Sequence, residues 1–433
     1  MARKRVNIIS LGCSKNLVDT ERLLKRLEDV GFDAVSDKKT RHGDIVIVNT
    51  CGFIGDAKEE SINTILECVE AKRRRQIDKI FVMGCLSERY LDELTSEIDE
   101  VDGWYGKFNW NKIISTLSDI KSNTLEYDRK LTTPPYSAYI KIAEGCNRFC
   151  AFCAIPIITG RFKSRPIEEI LSEVKLLASR GVVEFNVIAQ DLSSYGKDIY
   201  GCLKLAELID KMAEVDGVKW IRLHYAYPTE FPYDVLDVMA RRKNVCNYLD
   251  IALQHINDHV LANMNRHITT SETRRLIERI RKSVPNIHLR TTLMVGFPGE
   301  DEAAFDELLD FTQEMRFERM GAFAYCEEDG TSAQKNFIDS IPEDVKSARL
   351  DKLMALQEEI SMELNQQKVG SIIEVLIDGI EGDYYVGRSE YDSPEVDPVV
   401  LVKSNSPLKN GVFYPIKITS AMPFELLGEL ANV

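Results

Sequence analysis

SAYIKIAEGCNRFCAFC, residues 137–153, decides how this chain is read. Its first half, Ser137 to Ala143, is an apolar run of strand length. Its second half sets Cys146, Cys150 and Cys153 in a Cys-x3-Cys-x2-Cys loop. Thiolates hold iron–sulfur clusters, and four of them saturate the irons of a four-iron cluster. Three leave one iron open, and an open position is what a catalytic metal needs to bind something, as at catalytic zinc. The alternative is a zinc knuckle. Zinc sites usually combine one Cys-x2-Cys pair with a second, and no second pair is present.

Downstream of the loop, strand-like runs alternate with helix-like stretches. VEFNVIAQD, VKWIRLHY, YLDIALQH, IHLRTTLMVGF and MGAFAYC join SAYIKIAEGC as six strands. IEEILSEVKLLASRG, between the first two, is an amphipathic helix closed by Gly181. Six strands with helical crossovers predict a partial (β/α)6 barrel over residues 133–365, ending in a long polar-rich helix. Upstream, residues 1–122 repeat one pattern three times: VNIISLGC ends at Cys13, DIVIVNTC at Cys51 and KIFVMGC at Cys85. Helical stretches follow the first two, near 17–30 and 56–75, so this part reads as an open parallel α/β sheet. Ligands of such sheets sit beyond the carboxyl ends of the strands, where all three cysteines lie. Residues 121–135, polar and ending in Pro134-Pro135, read as a linker. From 368 to 433, short β-like runs separated by turns predict a small all-β barrel.

The chain has 433 residues, ten cysteines and a net charge of -14. It shows no signal peptide and no stretch able to span a bilayer, so cytoplasm is the expected compartment and disulfides are not expected. A chain so acidic argues against nucleic acid as direct substrate and for a basic partner. From Lys368 onward there are five basic and ten acidic residues, and Glu374, Asp378, Glu381, Asp383, Glu390, Asp392, Glu395 and Asp397 crowd together. Read as a surface, that cluster would repel phosphates and attract a basic protein.

EGCNRFCAFCAIP, residues 144–156, resembles the signature of radical S-adenosylmethionine enzymes. The resemblance implies a four-iron four-sulfur cluster on Cys146, Cys150 and Cys153 whose open iron chelates S-adenosylmethionine. Reductive cleavage would then yield a 5′-deoxyadenosyl radical. Phe152 stands where that family often places an aromatic near the adenine. LGCSKNLVDTE, VNTCGFI, QDLSSYGKD, RTTLMVGFPGE, YCEEDGTSA and GRSEYDSPEVDP extend the likeness over the whole chain, to the methylthiotransferases and their branch acting on a ribosomal protein. This implies an auxiliary four-iron four-sulfur cluster on Cys13, Cys51 and Cys85, and a terminal barrel of the TRAM type. It also implies S-adenosylmethionine as both methyl donor and radical source, with an external electron donor of flavodoxin or ferredoxin type. The implied product is a methylthio group on the β-carbon of an aspartate in ribosomal protein S12, free or in the small subunit. A tRNA methylthiotransferase is the nearest alternative. The chain departs from the family at Ala252, where proline is usual, at Cys326, where serine is usual, and in a loosened GRFKSRP. His255 and Arg290-Thr291-Thr292, at expected strand ends, are further candidates for cofactor contact. Cys68, Cys202, Cys246 and Cys326 read as isolated thiols.

Overall fold

Strands β-rich in Ile and Val on both faces need cover on both faces, and the N-terminal part of the chain supplies it. The computed structural model describes residues 3–41, 43–122 and 124–431. Its first sheet is wholly parallel, in the order Asp33–Ser36, Arg5–Ser10, Gly43–Thr50, Ile77–Gly84, Gly103–Trp104. Ile9, Val46, Val48, Ile80 and Val82 pack on one face. Their strand neighbours Ile8, Ile45, Ile47, Phe81 and Met83 pack on the other, against the helix Ser14–Asp29. The three cysteine-bearing runs are adjacent strands, so the loops that follow them emerge side by side. The two outer strands, Asp33–Ser36 and Gly103–Trp104, are short additions that the apolar runs do not announce.

The central sheet is the expected six-stranded partial barrel. Its strands run Ser137–Lys141, Glu184–Ile188, Trp220–Ala226, Val245–Ile251, His288–Val295 and Arg319–Ala324, paired in parallel in chain order. The long helix Glu343–Gln366 leaves it and meets the terminal barrel, where Asn365 donates to the carbonyls of Met422 and Pro423. That barrel is closed by five strands, one more than the four β-like runs SIIEVLIDGI, DYYVGRSEY, PVVLVKS and GVFYPIKITSAM. The extra strand, Glu425–Leu430, pairs in parallel with Val399–Lys403, and the other pairings are antiparallel.

Ion pairs, with an apolar cluster of Tyr136, Trp220, Tyr248, Leu376 and Phe413 under the terminal barrel, join these parts. The described residues among 121–135 form no helix or strand, yet Arg129 in this stretch is buried, pairing with Glu21 of the N-terminal unit and Glu173 of the barrel unit. Glu328 takes Lys58 at 2.9 Å and Arg89 at 3.0 Å across the same junction. The terminal barrel docks on the amino ends of the central strands. Arg388 reaches Glu184 at 2.7 and 2.9 Å, Asp392 takes Arg319 at 2.6 Å, and Asp397 takes Arg290 at 3.2 Å and Tyr248 at 2.7 Å. Tyr391 stacks on His288 at 3.9 Å.

This corrects the reading of the acidic cluster as one surface. Asp378 pairs with Arg388, and Glu390 accepts the backbone N–H of Asn247. With Asp392 and Asp397, four of the eight acids are therefore committed inside the molecule. Only Glu374, Glu381, Asp383 and Glu395 are exposed. Burying a carboxylate demands a partner, and the arginines that supply it lie far off in sequence. Among the described residues, no helix is long and apolar enough to cross a membrane.

Candidate functional site

Carboxyl ends of the first-sheet strands and of the central strands face each other across one cavity of about 380 Å³. Cys13, Cys51, Cys85, Cys146, Cys150 and Cys153 all line it. The two triads, 61 residues apart at their nearest members (Cys85 and Cys146), thus share one space. Cys85 packs with Ala154 and Ile158 of the second cysteine loop, which fastens one triad to the other.

Local chemistry explains how the first triad is assembled. Asn16, buried two residues into the first helix, donates to the carbonyls of Leu11 at 3.2 Å and Thr50 at 2.9 Å. Its own Oδ1 accepts from the Cys85 thiol at 3.5 Å and from Lys107 Nζ at 3.4 Å. One side chain so ties together the three loops that carry Cys13, Cys51 and Cys85. Glycine permits the close approach. A Cβ on Gly12, at φ +79°, would lie 2.9 Å from Cys51 Sγ, and one on Gly84, at φ +106°, would lie 2.5 Å from the Thr50 carbonyl oxygen.

The second triad is framed by cations and aromatics. Arg266 donates to Cys150 Sγ at 3.3 Å and to the Ala252 carbonyl, and it lies over the Tyr227 ring at 4.1 Å. The Tyr227 hydroxyl is 3.6 Å from the same sulfur. Arg148 N–H donates to Cys146 Sγ at 3.5 Å, while the Arg148 guanidinium pairs with Asp191 at 2.7 Å. Phe152 lines the cavity and meets Phe297 edge-on.

Burial pushes the thiols of Cys85 and Cys146 up to about 12, and raises Cys51 and Cys153 as well. Such thiols ionise only when a metal takes the place of the proton. Burial alone would lower Lys107, yet Asp19 and Glu144 hold its ammonium above the ordinary range. The donor set fits iron–sulfur clusters: two triads of cysteine, fixed cations to balance the thiolates, and largely apolar walls.

Other candidates fall elsewhere. His255 is fully buried, 3.2 Å from Glu300, which also takes Arg349. Thr291 donates to the Ile251 carbonyl, and Arg290 faces Asp250 and Asp397. None of these lines the cavity, nor does Thr292. Cys68 and Cys246 are core residues, and Cys202 and Cys326 are exposed. Sequence reasoning missed Lys15, Lys107, Gln190, Tyr225, Tyr227 and Arg266 in the lining. Lys15 stands beside Cys13 in the chain and offered a signal; the others come together only through packing.

Comparison with known proteins agrees with this architecture. Residues 5–106 match the uncharacterized protein family UPF0004, residues 140–312 the radical SAM superfamily, and residues 369–431 the TRAM domain. The ribosomal protein uS12 methylthiotransferase RimO of Bacteroides fragilis is 57% identical over 99% of this chain and 100% of its own. RimO of Porphyromonas gingivalis is 55% identical over the whole of both chains. RimO of Christiangramia forsetii is 49% identical over 100% of this chain and 96% of its own. Among solved structures, the radical S-adenosylmethionine methyltransferase TsrM from Kitasatospora setae shares the fold with a TM-score of 0.56. It is 16% identical over 75% of each chain.

Proposed function

Since the chain belongs to the RimO family of radical S-adenosylmethionine methylthiotransferases, we propose that it attaches a methylthio group to ribosomal protein uS12, at the β-carbon of an aspartate. The observation that carries this is the meeting of two cysteine triads, from two domains, in one cavity. Sulfur delivery and carbon-radical formation need different irons within reach of the same carbon. In this reading Cys146, Cys150 and Cys153 would hold one four-iron four-sulfur cluster, and Cys13, Cys51 and Cys85 an auxiliary one. With S-adenosylmethionine bound, the group on Cys146, Cys150 and Cys153 would pass the electron for its reductive cleavage, and the group on Cys13, Cys51 and Cys85 would hold the sulfur to be transferred.

The chain's own residues do the rest. Asn16 holds the three first-triad loops in register. Arg266 and Tyr227 fix Cys150, and Arg148, anchored on Asp191, fixes Cys146. Phe53, Phe152, Ile155 and Ile158 keep the cavity apolar and limit the access of water to the groups the two triads would hold. An external electron donor of flavodoxin or ferredoxin type completes the system, and the cytoplasm, where ribosomes are, is its compartment. The five exposed acids of the terminal barrel, Glu374, Glu381, Asp383, Glu395 and Glu429, outnumber its exposed lysines, Lys403, Lys409 and Lys417, and favour a basic ribosomal protein over RNA.

The test is to incubate the reconstituted enzyme with S-adenosylmethionine, a reductant, and either small ribosomal subunits or tRNA, then to weigh both by mass spectrometry. The expected result is one methylthio group on uS12 and unmodified tRNA. Modified tRNA with unmodified uS12 would replace the substrate and leave the methylthiotransferase chemistry standing.

A further inference from the structure

The cavity lining includes four cations, Lys15, Lys107, Arg148 and Arg266, and no Asp or Glu. Three of the four are engaged by the chain itself. Lys107 pairs with Asp19 at 3.4 Å and Glu144 at 3.7 Å. Arg148 pairs with Asp191 and Glu230. Arg266 donates from its two terminal nitrogens to Cys150 and Ala252 while stacked on Tyr227, and its Nε is left without a partner.

Lys15 differs. Among the described residues it has no carboxylate within ion-pair distance, and its Nζ rests 3.4 Å from the centroid of the Tyr225 ring. The perch is itself built. Tyr225 sits at φ +67°, a backbone conformation rare for a bulky residue. Its N–H donates to the buried Asp250 at 3.3 Å. Asp250 in turn faces Arg290, which pairs with Asp397 of the terminal barrel. The ring is thus set from below by a chain of charges that reaches a third domain, and the ammonium above it stands ready for an anion.

We propose that Lys15, held on the Tyr225 ring, binds the side-chain carboxylate of the target aspartate and so selects aspartate as the residue modified. This rests on the reading that the substrate is an aspartate of uS12. The chemistry suits the task. The carboxylate is one bond from the β-carbon, so anchoring it fixes the reacting carbon between the two triads. S-adenosylmethionine also carries a carboxylate. Lys15 follows Cys13 on the N-terminal domain, whereas the S-adenosylmethionine carboxylate would be taken by the open iron that Cys146, Cys150 and Cys153 would leave.

The experiment measures binding of uS12, and of uS12 with its target aspartate replaced by asparagine, to wild-type enzyme and to the Lys15→Met and Lys15→Arg variants. S-adenosylmethionine affinity is measured in parallel. Wild type is expected to prefer the aspartate form by about 10–100-fold, the worth of one charge-assisted contact. Lys15→Met should bind both forms alike, and Lys15→Arg should restore part of the preference, which a misfolded variant would not do. Undiminished preference in Lys15→Met, with wild type modifying uS12, overturns the assignment and leaves the functional reading intact. A loss of S-adenosylmethionine affinity with the preference unchanged gives the ammonium to the cofactor and also overturns it. Wild type that leaves uS12 unmodified overturns the functional reading, and the assignment with it.

Discussion

Replacing Arg388 by methionine should loosen the terminal barrel from the central one, and the cost can be worked out in two ways. Glu184 is fully buried and accepts from Arg388 at 2.7 and 2.9 Å, from Arg222 at 3.1 Å and from Ser137 at 2.6 Å. Taking one partner from a buried ion pair costs about 3–5 kcal/mol, and with Arg222 still facing Glu184 the loss falls at the low end of that range. The second route is titration. Burial works to raise the Glu184 carboxyl, but Arg388 and Arg222 bring it from 4.5 down to about 2. A fall of that size is worth about 3 kcal/mol at neutral pH, a sum over Arg388, Arg222 and Ser137 net of burial, so it describes the whole Glu184 site and not Arg388 alone. The sign follows from the lowered value. The contribution is complete above the ordinary carboxyl range and is lost as pH drops from about 4.5 through about 2. Trp220 reports the event, being buried at this interface with its ring 4.8 Å from that of Phe413 in the terminal barrel. With the chain's other two tryptophans, Trp104 and Trp110, changed to phenylalanine, urea titration of Trp220 emission isolates undocking. Arg388→Met should lower the midpoint by an amount equal to about 3 kcal/mol or more and flatten the acid dependence below pH 4.5. The double variant Glu184→Gln with Arg388→Met should cost less than the two single losses added. A loss under about 1 kcal/mol, or additive singles, would refute the claim that this pair holds the interface.

Gly84→Ala would set a methyl 2.5 Å from the Thr50 carbonyl oxygen at a φ of +106°, so Cys85 must shift; iron content should fall from about eight to about four per chain, read by iron assay. Replacing the exposed Glu374, Glu381, Asp383 and Glu395 by lysine should slow association with uS12 about tenfold at low salt and flatten its salt dependence, measured by stopped flow. Including Asp392 would break the Arg319 pair and confuse docking with unfolding. Glu328→Gln should weaken the junction between the first two domains by about 1–3 kcal/mol, visible as faster proteolysis in residues 121–135.

How much was legible depended on whether the signal was local. Val46, Val48, Ile80 and Val82 make strands buried on two faces, and Cys51 and Cys85 follow at their ends. Apolar runs declare such strands, and parallel connection then brings the cysteines together. The strand Glu425–Leu430 was missed because its pairing with Val399–Lys403 is a tertiary event that ELLGEL does not announce. The acids of the terminal barrel were misread for a related reason. Asp392 and Glu374 look alike in sequence, yet one is buried against Arg319 and the other exposed, and only the docked interface distinguishes them. Tyr225 and Arg266 were invisible as site residues because nothing near them in the chain marks the cavity. Lys15 carries a local signal, two residues past Cys13.

The most direct measurement of the central claim pairs iron content with product analysis in three proteins: wild type, the triple alanine variant of Cys146, Cys150 and Cys153, and that of Cys13, Cys51 and Cys85. After anaerobic reconstitution, wild type should hold about eight irons and each variant about four. The Cys146, Cys150 and Cys153 variant should make no 5′-deoxyadenosine. The Cys13, Cys51 and Cys85 variant should still make it and yield no methylthiolated uS12. Reductive cleavage of S-adenosylmethionine by the first variant, or normal product from the second, would contradict the assignment of the two triads to two clusters with separate tasks.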